Sequence, residues 1–407
     1  MNFFKNFISN FNVNDKKIIY LIYFLPISLL AGSLIINLTV FFISIFFIIE
    51  IVKEKKFKKI FNIYTFFLIL ILIYLILNSI FISKNTESII KAVGFLRFIV
   101  FTTAIAYYFR IEESKYEKKI LTFWFYIFLI VTVDLLFEFI FGFNTLNFKS
   151  TYQGRLAGFT GDELKIGGYY FGFFLLSILI INNNQKYFIL LFSIFLITSY
   201  LIGERSNFIK VLFISILFYF FTYKMNSLKK IFFLILPILV ILLITFSNEI
   251  YKQRFYVYII KPLTEKNLDL KLSQNRHISH YQLAIDMFDN NKLFGVGFKN
   301  FRNESFNRQV NLGENIAVTT HPHQIHLEFL SELGIIGYLI IISFLIYTIF
   351  DGYKIYKFKN SKISLAATFF ILATLLPLLP SGSFFTTYGA TIFWINFSLI
   401  LKNKLKL

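Results

Sequence analysis

All five histidines of the chain, His277, His280, His321, His323 and His326, lie in one polar stretch between long apolar segments. A neutral imidazole within about 3 Å of a hydroxyl is suited to take its proton, so general-base chemistry is the first expectation for this stretch. His323 is the candidate base, with His321 and His326 in support. A second chemistry is open to the same residue types: His321, His323, His326 and Glu328 could ligate zinc, as in a metalloenzyme or a metal transporter. Against it, the chain has no His-Glu-x-x-His string, and Pro322 splays His321 from His323. No metal is expected.

The elements that must carry these residues follow from pattern. Ile278, Leu283, Ala284, Met287 and Phe288 predict a short amphipathic helix near 278–288, and Gly295-Val296-Gly297 a tight turn after it. The stretch 248–275 reads as polar and irregular, and 298–315 as polar again. Pro322, with Thr319 and Thr320 ahead of it as caps, marks a helix start. A helix from there runs into an apolar span ending near Phe350, and places His323, Leu327, Leu330, Gly334 and Gly337 on one face. The two glycines leave that face bare for close packing, which presses His323 against a neighbour. Gln324, Glu328 and Ser331 form a polar stripe beside it.

The rest of the chain is membrane-grade. Hydrophobic residues make up 57% of the 407, and uncharged runs long enough to cross about 30 Å of hydrocarbon recur. They predict an all-α polytopic membrane protein with about twelve transmembrane helices, near 18–33, 36–52, 61–81, 88–109, 120–141, 167–181, 187–202, 208–222, 230–247, 332–350, 363–380 and 388–402. The first two form one uncharged run that must hairpin at Gly32 and Ser33. Three regions follow: a membrane bundle over 1–247, an external segment over 248–331, and a second bundle over 332–407. Lysines and arginines cluster in alternate connections, among them 53–59, 110–119, 354–362 and 402–406. By the positive-inside rule both termini are cytoplasmic and 248–331 lies outside. The net charge of +19 then reports topology and attraction to anionic lipid head groups, with nucleic-acid binding set aside. The first apolar run is too long for a cleavable signal peptide and is expected to stay as an anchor. With no cysteine, disulfides and thiolate metal sites are excluded.

His323-Gln324, nine residues, Gly334, two residues and Gly337 resembles the H-[NSQ]-x9-G-x-x-[GTY] pattern of the O-antigen ligase and polymerase superfamily. Three further pieces agree in order: GRLAGFTGDE at 154–163, Gly203-Glu204-Arg205-Ser206 between two spans, and NRHISHYQLAIDMFDNNKLFGVGFKNF at 275–301. The resemblance covers about residues 150–340. It implies a membrane glycosyltransferase of the bacterial inner membrane, acting on the periplasmic side. Such an enzyme takes a glycan from undecaprenyl diphosphate and passes it to a lipid A core sugar (ligase) or to a second lipid-linked glycan (polymerase). It implies no nucleotide sugar, no cofactor and no metal. It also implies that Arg205, Arg276 and Arg155 bind the diphosphate, whose charge grows as it leaves and suits the planar fork of a guanidinium. The ligase reading is preferred. For Arg205 the alternatives are a bridge to Glu204 or contact with head groups, and for Arg276 and Arg155 an exposed loop charge. Lys91, Arg97, Asp134 and Glu138 lie in or near spans, which raises a transporter or lipid flippase as a third class. The alternative for Arg97 and Asp134 is a structural pair across neighbouring helices.

Overall fold

The computed structural model describes residues 15–111, 116–163, 165–181, 185–222, 227–260, 276–312 and 319–405, and every regular element among them is a helix. Each of the twelve apolar runs forms a helix. In chain order these are α1 (Asp15–Ala31), α2 (Ser33–Lys53), the short α3 (Phe57–Ile60), α4 (Ile63–Asn78, continued by a π turn at Ser79–Ser83), α5 (Thr86–Gly94), α6 (Leu96–Ile111), α7 (Glu117–Phe141), α8 (Ile166–Ile181), α9 (Gln185–Leu201), α10 (Arg205–Thr222) and α11 (Ser227–Ser247). Beyond the polar stretch come α12 (Arg276–Asn290), α13 (Phe301–Leu312), α14 (Ile325–Lys359), α15 (Lys362–Thr374) and α16 (Thr387–Leu401).

The sequence makes these elements for ordinary reasons. Leu-, Ile- and Phe-rich runs carry few charges to interrupt them, and polar residues cap their ends: Asn62 accepts from the backbone N–H of Tyr64 and Thr65, and Ser361 from that of Ser364. Gly32, at φ 105°, is the whole break between α1 and α2, which pack on each other as the expected hairpin requires. By length and composition six helical units can cross a membrane: α2, α4 with its π turn, α5 with α6, α7, α10 and α14. A seventh exists if α11 and the bent segment after it, 101° apart, count as one. The chain is a multi-pass membrane protein. Exposed large apolar residues such as Leu34, Phe66, Ile130 and Leu243 fit helices whose outer faces meet lipid.

Three expected boundaries differ. The run expected to end at residue 380 stops at Thr374, because Pro377 and Pro380 cannot continue a helix. The stretch expected to be irregular after Asn248 is helical as far as Ile260, with Asn248 capping Glu249–Tyr251 and a π-helix over Lys252–Ile260; residues 261–275 lie outside the described residues. Finally α14 begins at Ile325 rather than at Pro322 and runs on to Lys359.

Charge is segregated along the bundle. Lys404 pairs with Asp351, Lys402 with Glu117, and Tyr64 at the start of α4 donates to Asp351 (2.7 Å). These contacts gather the lysine-rich ends of α7, α14 and α16, with the start of α4, at one end of the molecule. The polar stretch with its histidines sits at the other, where α4 ends and α10, α14 and α16 begin.

Candidate functional site

Four of the five histidines converge. The ring of His323 lies 4.0 Å from that of His321, 5.2 Å from His280, stacked, and 5.5 Å from His277. His277 and His280 come from one face of α12, three residues apart and continuous with the buried face of Leu283, Ala284 and Met287. His321 and His323 come from the turn before α14. There His323 takes a left-handed backbone, φ 59°, uncommon for a residue with a side chain and frequent at functional sites. Two bonds hold it: its carbonyl accepts from Ser381 N–H (2.8 Å), and Thr319 Oγ1 lies 3.4 Å from its Nε2. Gln324 is the N-cap of α14, accepting from Leu327 N–H at 2.7 Å, so His323 precedes the helix and does not lie on its glycine face. The polar stripe is thereby dissolved: Gln324 caps, Glu328 is paired elsewhere, and Ser331 bonds back to Leu327.

Burial and mutual repulsion set the electrostatics. The pKa of His323 is lowered to about 3, first by burial and then by the neighbouring imidazoles of His321, His280 and His277. His321 and His277 are lowered too, in both cases mainly by burial. His277, His321 and His323 are therefore uncharged at neutral pH.

The glycines do something more specific than leave a face bare. Gly334 breaks α14 with φ 66° and ψ −173°, a conformation open in practice only to glycine. The carbonyls of Ser331 and Glu332, left without their helical donors, accept instead from Val296 and Gly297 N–H (2.8 and 3.0 Å), and the freed N–H groups of Ile335 and Ile336 donate to Lys292 and Leu293 (2.8 and 3.3 Å). The turn after α12 and the break in α14 thus complete each other's hydrogen bonds. A Cβ on Gly334 would stand 2.3 Å from the Leu293 carbonyl oxygen, and one on Gly295 2.5 Å from the Glu332 carbonyl carbon. From α4, Asn78 holds both sides of the turn through Phe294 O (2.8 Å) and Phe298 N (2.7 Å), while Tyr74 donates to Leu333 O (2.6 Å). Gly337 admits that tyrosine, whose ring would be 2.5 Å from an added Cβ.

Arg205, Arg254 and Arg155 form a cationic patch at the α9–α10 turn. Arg205, the first residue of α10, donates to the Arg254 carbonyl (3.4 Å), and Arg254 donates to the carbonyls of Gln153 and Gly203 (each 2.9 Å). Gly203 touches the backbone of Gly154, a Cβ there falling 1.9 Å from Gly154 O, which brings Arg155 against the α9–α10 turn. After burial, the charges of Arg205 and Arg155 lower the pKa of His277. Glu204, whose carboxyl is raised mainly by burial, accepts from Gly167 N–H (3.1 Å) and Asn207 (2.6 Å). The backbone of Arg276 opens α12, one residue ahead of His277; its side chain lies outside the described residues.

Other residues singled out by the sequence take structural places. His326 turns away from the cluster, with Nε2 at 2.8 Å from Leu375 O and Nδ1 at 3.2 Å from Tyr338 OH, tying α14 to the end of α15. Buried Glu328 accepts from Lys299 (3.0 Å), Ser383 and Phe384 N–H (2.9 Å). His321, His323, His326 and Glu328 therefore do not meet around one point, and among the described residues no group of three or more His, Cys, Asp or Glu is arranged to hold a metal ion. Arg97 bonds Asn37 (2.9 Å) and Thr387 (3.1 Å), and Asp134 bonds Thr145 and Asn144, so the expected Arg97–Asp134 pair does not form. Glu138 accepts from Ala157 and Gly158 N–H (2.7 and 2.8 Å) and so anchors the loop that carries Arg155.

Sequence reasoning overlooked Arg254 and Lys299. Arg254 sits in a stretch read as irregular, and its signal was a lone arginine just ahead of the aromatic residues in QRFYVY. Lys299 follows the GVG turn, and only the tertiary fold shows that Glu328 and Glu332 outweigh its burial and raise its pKa.

Residues 188–342 match the family model described as O-antigen ligase, a stretch that holds Arg205, Arg254, all five histidines and the Gly334 break. No curated protein matches the chain.

Proposed function

We propose, for a chain whose residues 188–342 match the O-antigen ligase family model, that it transfers a glycan from undecaprenyl diphosphate to a lipid A core sugar at the periplasmic face of the bacterial inner membrane. The observation that carries this reading is the convergence of four imidazoles at the end of the bundle away from the lysine-rich ends, near enough to Arg205 and Arg155 for their charges to lower the pKa of His277. In this reading all twelve apolar helices cross, both termini are cytoplasmic and 248–331 is periplasmic.

The chemistry needs an acceptor hydroxyl to attack the anomeric carbon as the bond from that carbon to the diphosphate oxygen breaks. His323 takes the hydroxyl proton, and the departing diphosphate leaves its charge against Arg205, Arg155 and Arg276, with Arg254 joining them. Attack opposite the leaving group inverts the anomeric centre. A pKa near 3 makes free His323 a weak base; an arriving diphosphate adds negative charge beside it and raises its basicity when the substrate is in place. His321, His280 and His277 pack around His323 and lower its pKa, and Gln324, Glu328 and His326 hold the turn and helix that carry His321 and His323. No metal or cofactor enters the scheme.

The test is the lipopolysaccharide profile of a deletion strain complemented with wild type, His323→Ala or Arg205→Lys. Wild type alone should restore polymer on lipid A core, and the variants should leave long lipid-linked polymer unused, since Lys lacks the planar fork. A single repeat unit on the core would instead identify a polymerase. Full activity of His323→Ala would remove the general base from the scheme.

A further inference from the structure

Towards the end of α4 opposite Asn78, the last turns of α2, the first turns of α4, the first half of α6 and the short α3 line a cavity of about 240 Å³. Its walls include Phe47, Ile51, Ile60, Ile99, Thr65 and Thr103, the two threonines being the one polar element of the lining. Its rim is open, with Ile48, Phe57 and Phe61 about half exposed and Ile69 less so. From Ile63 to Asn78 the helix rise separates this cavity from the histidine-bearing end by about 20 Å.

The mouth is basic. Between α2 and α4 the chain reads Lys53-Glu54-Lys55-Lys56-Phe57-Lys58-Lys59, and its single acid, Glu54, pairs with Lys56. The other nearby acid, Glu50, is buried and accepts from Tyr108. Lys55 and Lys58 are exposed, Lys55 being turned out by a left-handed backbone at φ 53°, and Lys59 is half-buried beside Ile60. An apolar slot between membrane helices with surplus lysines at its lip matches an amphiphile with an anionic head.

We propose that this cavity seats an acyl chain of an anionic membrane phospholipid, with its phosphate held by Lys55, Lys58 and Lys59. The occupant is distinct from the diphosphate donor of the proposed reaction, whose arginines lie at the far end of α4, and the inference stands whether or not that reaction is right. A neutral lipid offers the same chain without the charge, and a generic attraction of the basic surface offers the charge without the slot. The lysines and the cavity together require both.

The experiment uses the full chain purified in a neutral detergent and titrated with phosphatidylglycerol or phosphatidylcholine of identical chains, bound lipid being counted by native mass spectrometry. Phosphatidylglycerol should be retained preferentially. Replacing Lys55, Lys58 and Lys59 by Gln should lower its affinity about fivefold per charge removed while leaving phosphatidylcholine unchanged. Ile69→Trp, placed at the exposed rim to fill the slot, should lower phosphatidylglycerol retention with every lysine intact. Lys357→Gln with Lys359→Gln, two exposed cations at the same end of the bundle, should change nothing. Equal retention of the two lipids, a matching loss in the Lys357/Lys359 variant, or full retention by Ile69→Trp would each overturn the proposal.

Discussion

His323 is held uncharged by burial and by three imidazoles within 5.5 Å of ring separation, and this has a direct signature in pH dependence. For a base that works in its neutral form, activity is lost as pH falls through its pKa. A pKa depressed well below the usual imidazole value of 6.5 moves that loss to lower pH, so kcat/KM for glycan transfer should stay level from pH 7 down past pH 6. An acid limb near 6.5 in membranes or detergent would show that the free enzyme's base is an ordinary exposed histidine. His323→Asn belongs to the same argument. Asn tolerates the left-handed backbone better than most residues, so this variant should keep wild-type thermal stability while losing about 10²- to 10⁴-fold in rate, the range of a removed general base. A large fall in stability instead would make His323 a packing residue.

At the scale of elements, the join between the turn after α12 and the break in α14 is where the site is built. Gly334→Ala puts a side chain into a conformation reserved for glycine and a carbon 2.3 Å from a backbone oxygen. The expected loss is about 2–5 kcal/mol, read as a lowered melting temperature together with loss of transfer. Gly382→Ala, where nothing stands within 4 Å of the added carbon, should be neutral; equal behaviour of the two variants would refute the role given to the break. The same join shows what the sequence could and could not reveal. The apolar runs were legible because each helix is coded by its own composition, and even the Gly32 hairpin follows from a single residue. That Gly334 and Gly337 serve close packing was legible too. What escaped was the partner: Gly334 faces the Leu293–Phe294 backbone and Gly337 faces Tyr74, contacts that depend on where α4 and the GVG turn sit in space. His323 was placed one turn too deep in α14 because Pro322 has the local chemistry of a helix start, whereas the bond from Ser381 N–H to the His323 carbonyl keeps that residue outside the helix. Arg254 was missed for a related reason, since it acts from a π-helical segment that no simple periodicity describes.

Across the whole molecule, the division between a lysine-rich end and an end bearing imidazoles and arginines fixes what topology the proposed reaction requires. Lipid-linked glycan must meet its acceptor on the side away from the cytosol, so Arg302, exposed on α13, and Lys357, exposed near the end of α14, must lie across the membrane from one another. The chain has no cysteine, which makes single-cysteine labelling clean without further engineering. Arg302→Cys should react with a membrane-impermeant maleimide in cells whose inner membrane is intact, and Lys357→Cys only after that membrane is opened. The reverse pattern would put the histidines in the cytosol, where the lipopolysaccharide acceptor is not presented, and would refute the transferase reading while leaving the helix assignments untouched. Labelling of both sites in intact cells would mean that α14 does not cross at all. Its break at Gly334 would then have to be read as the bend of a surface helix instead of the point where a transmembrane helix receives the turn that holds the site.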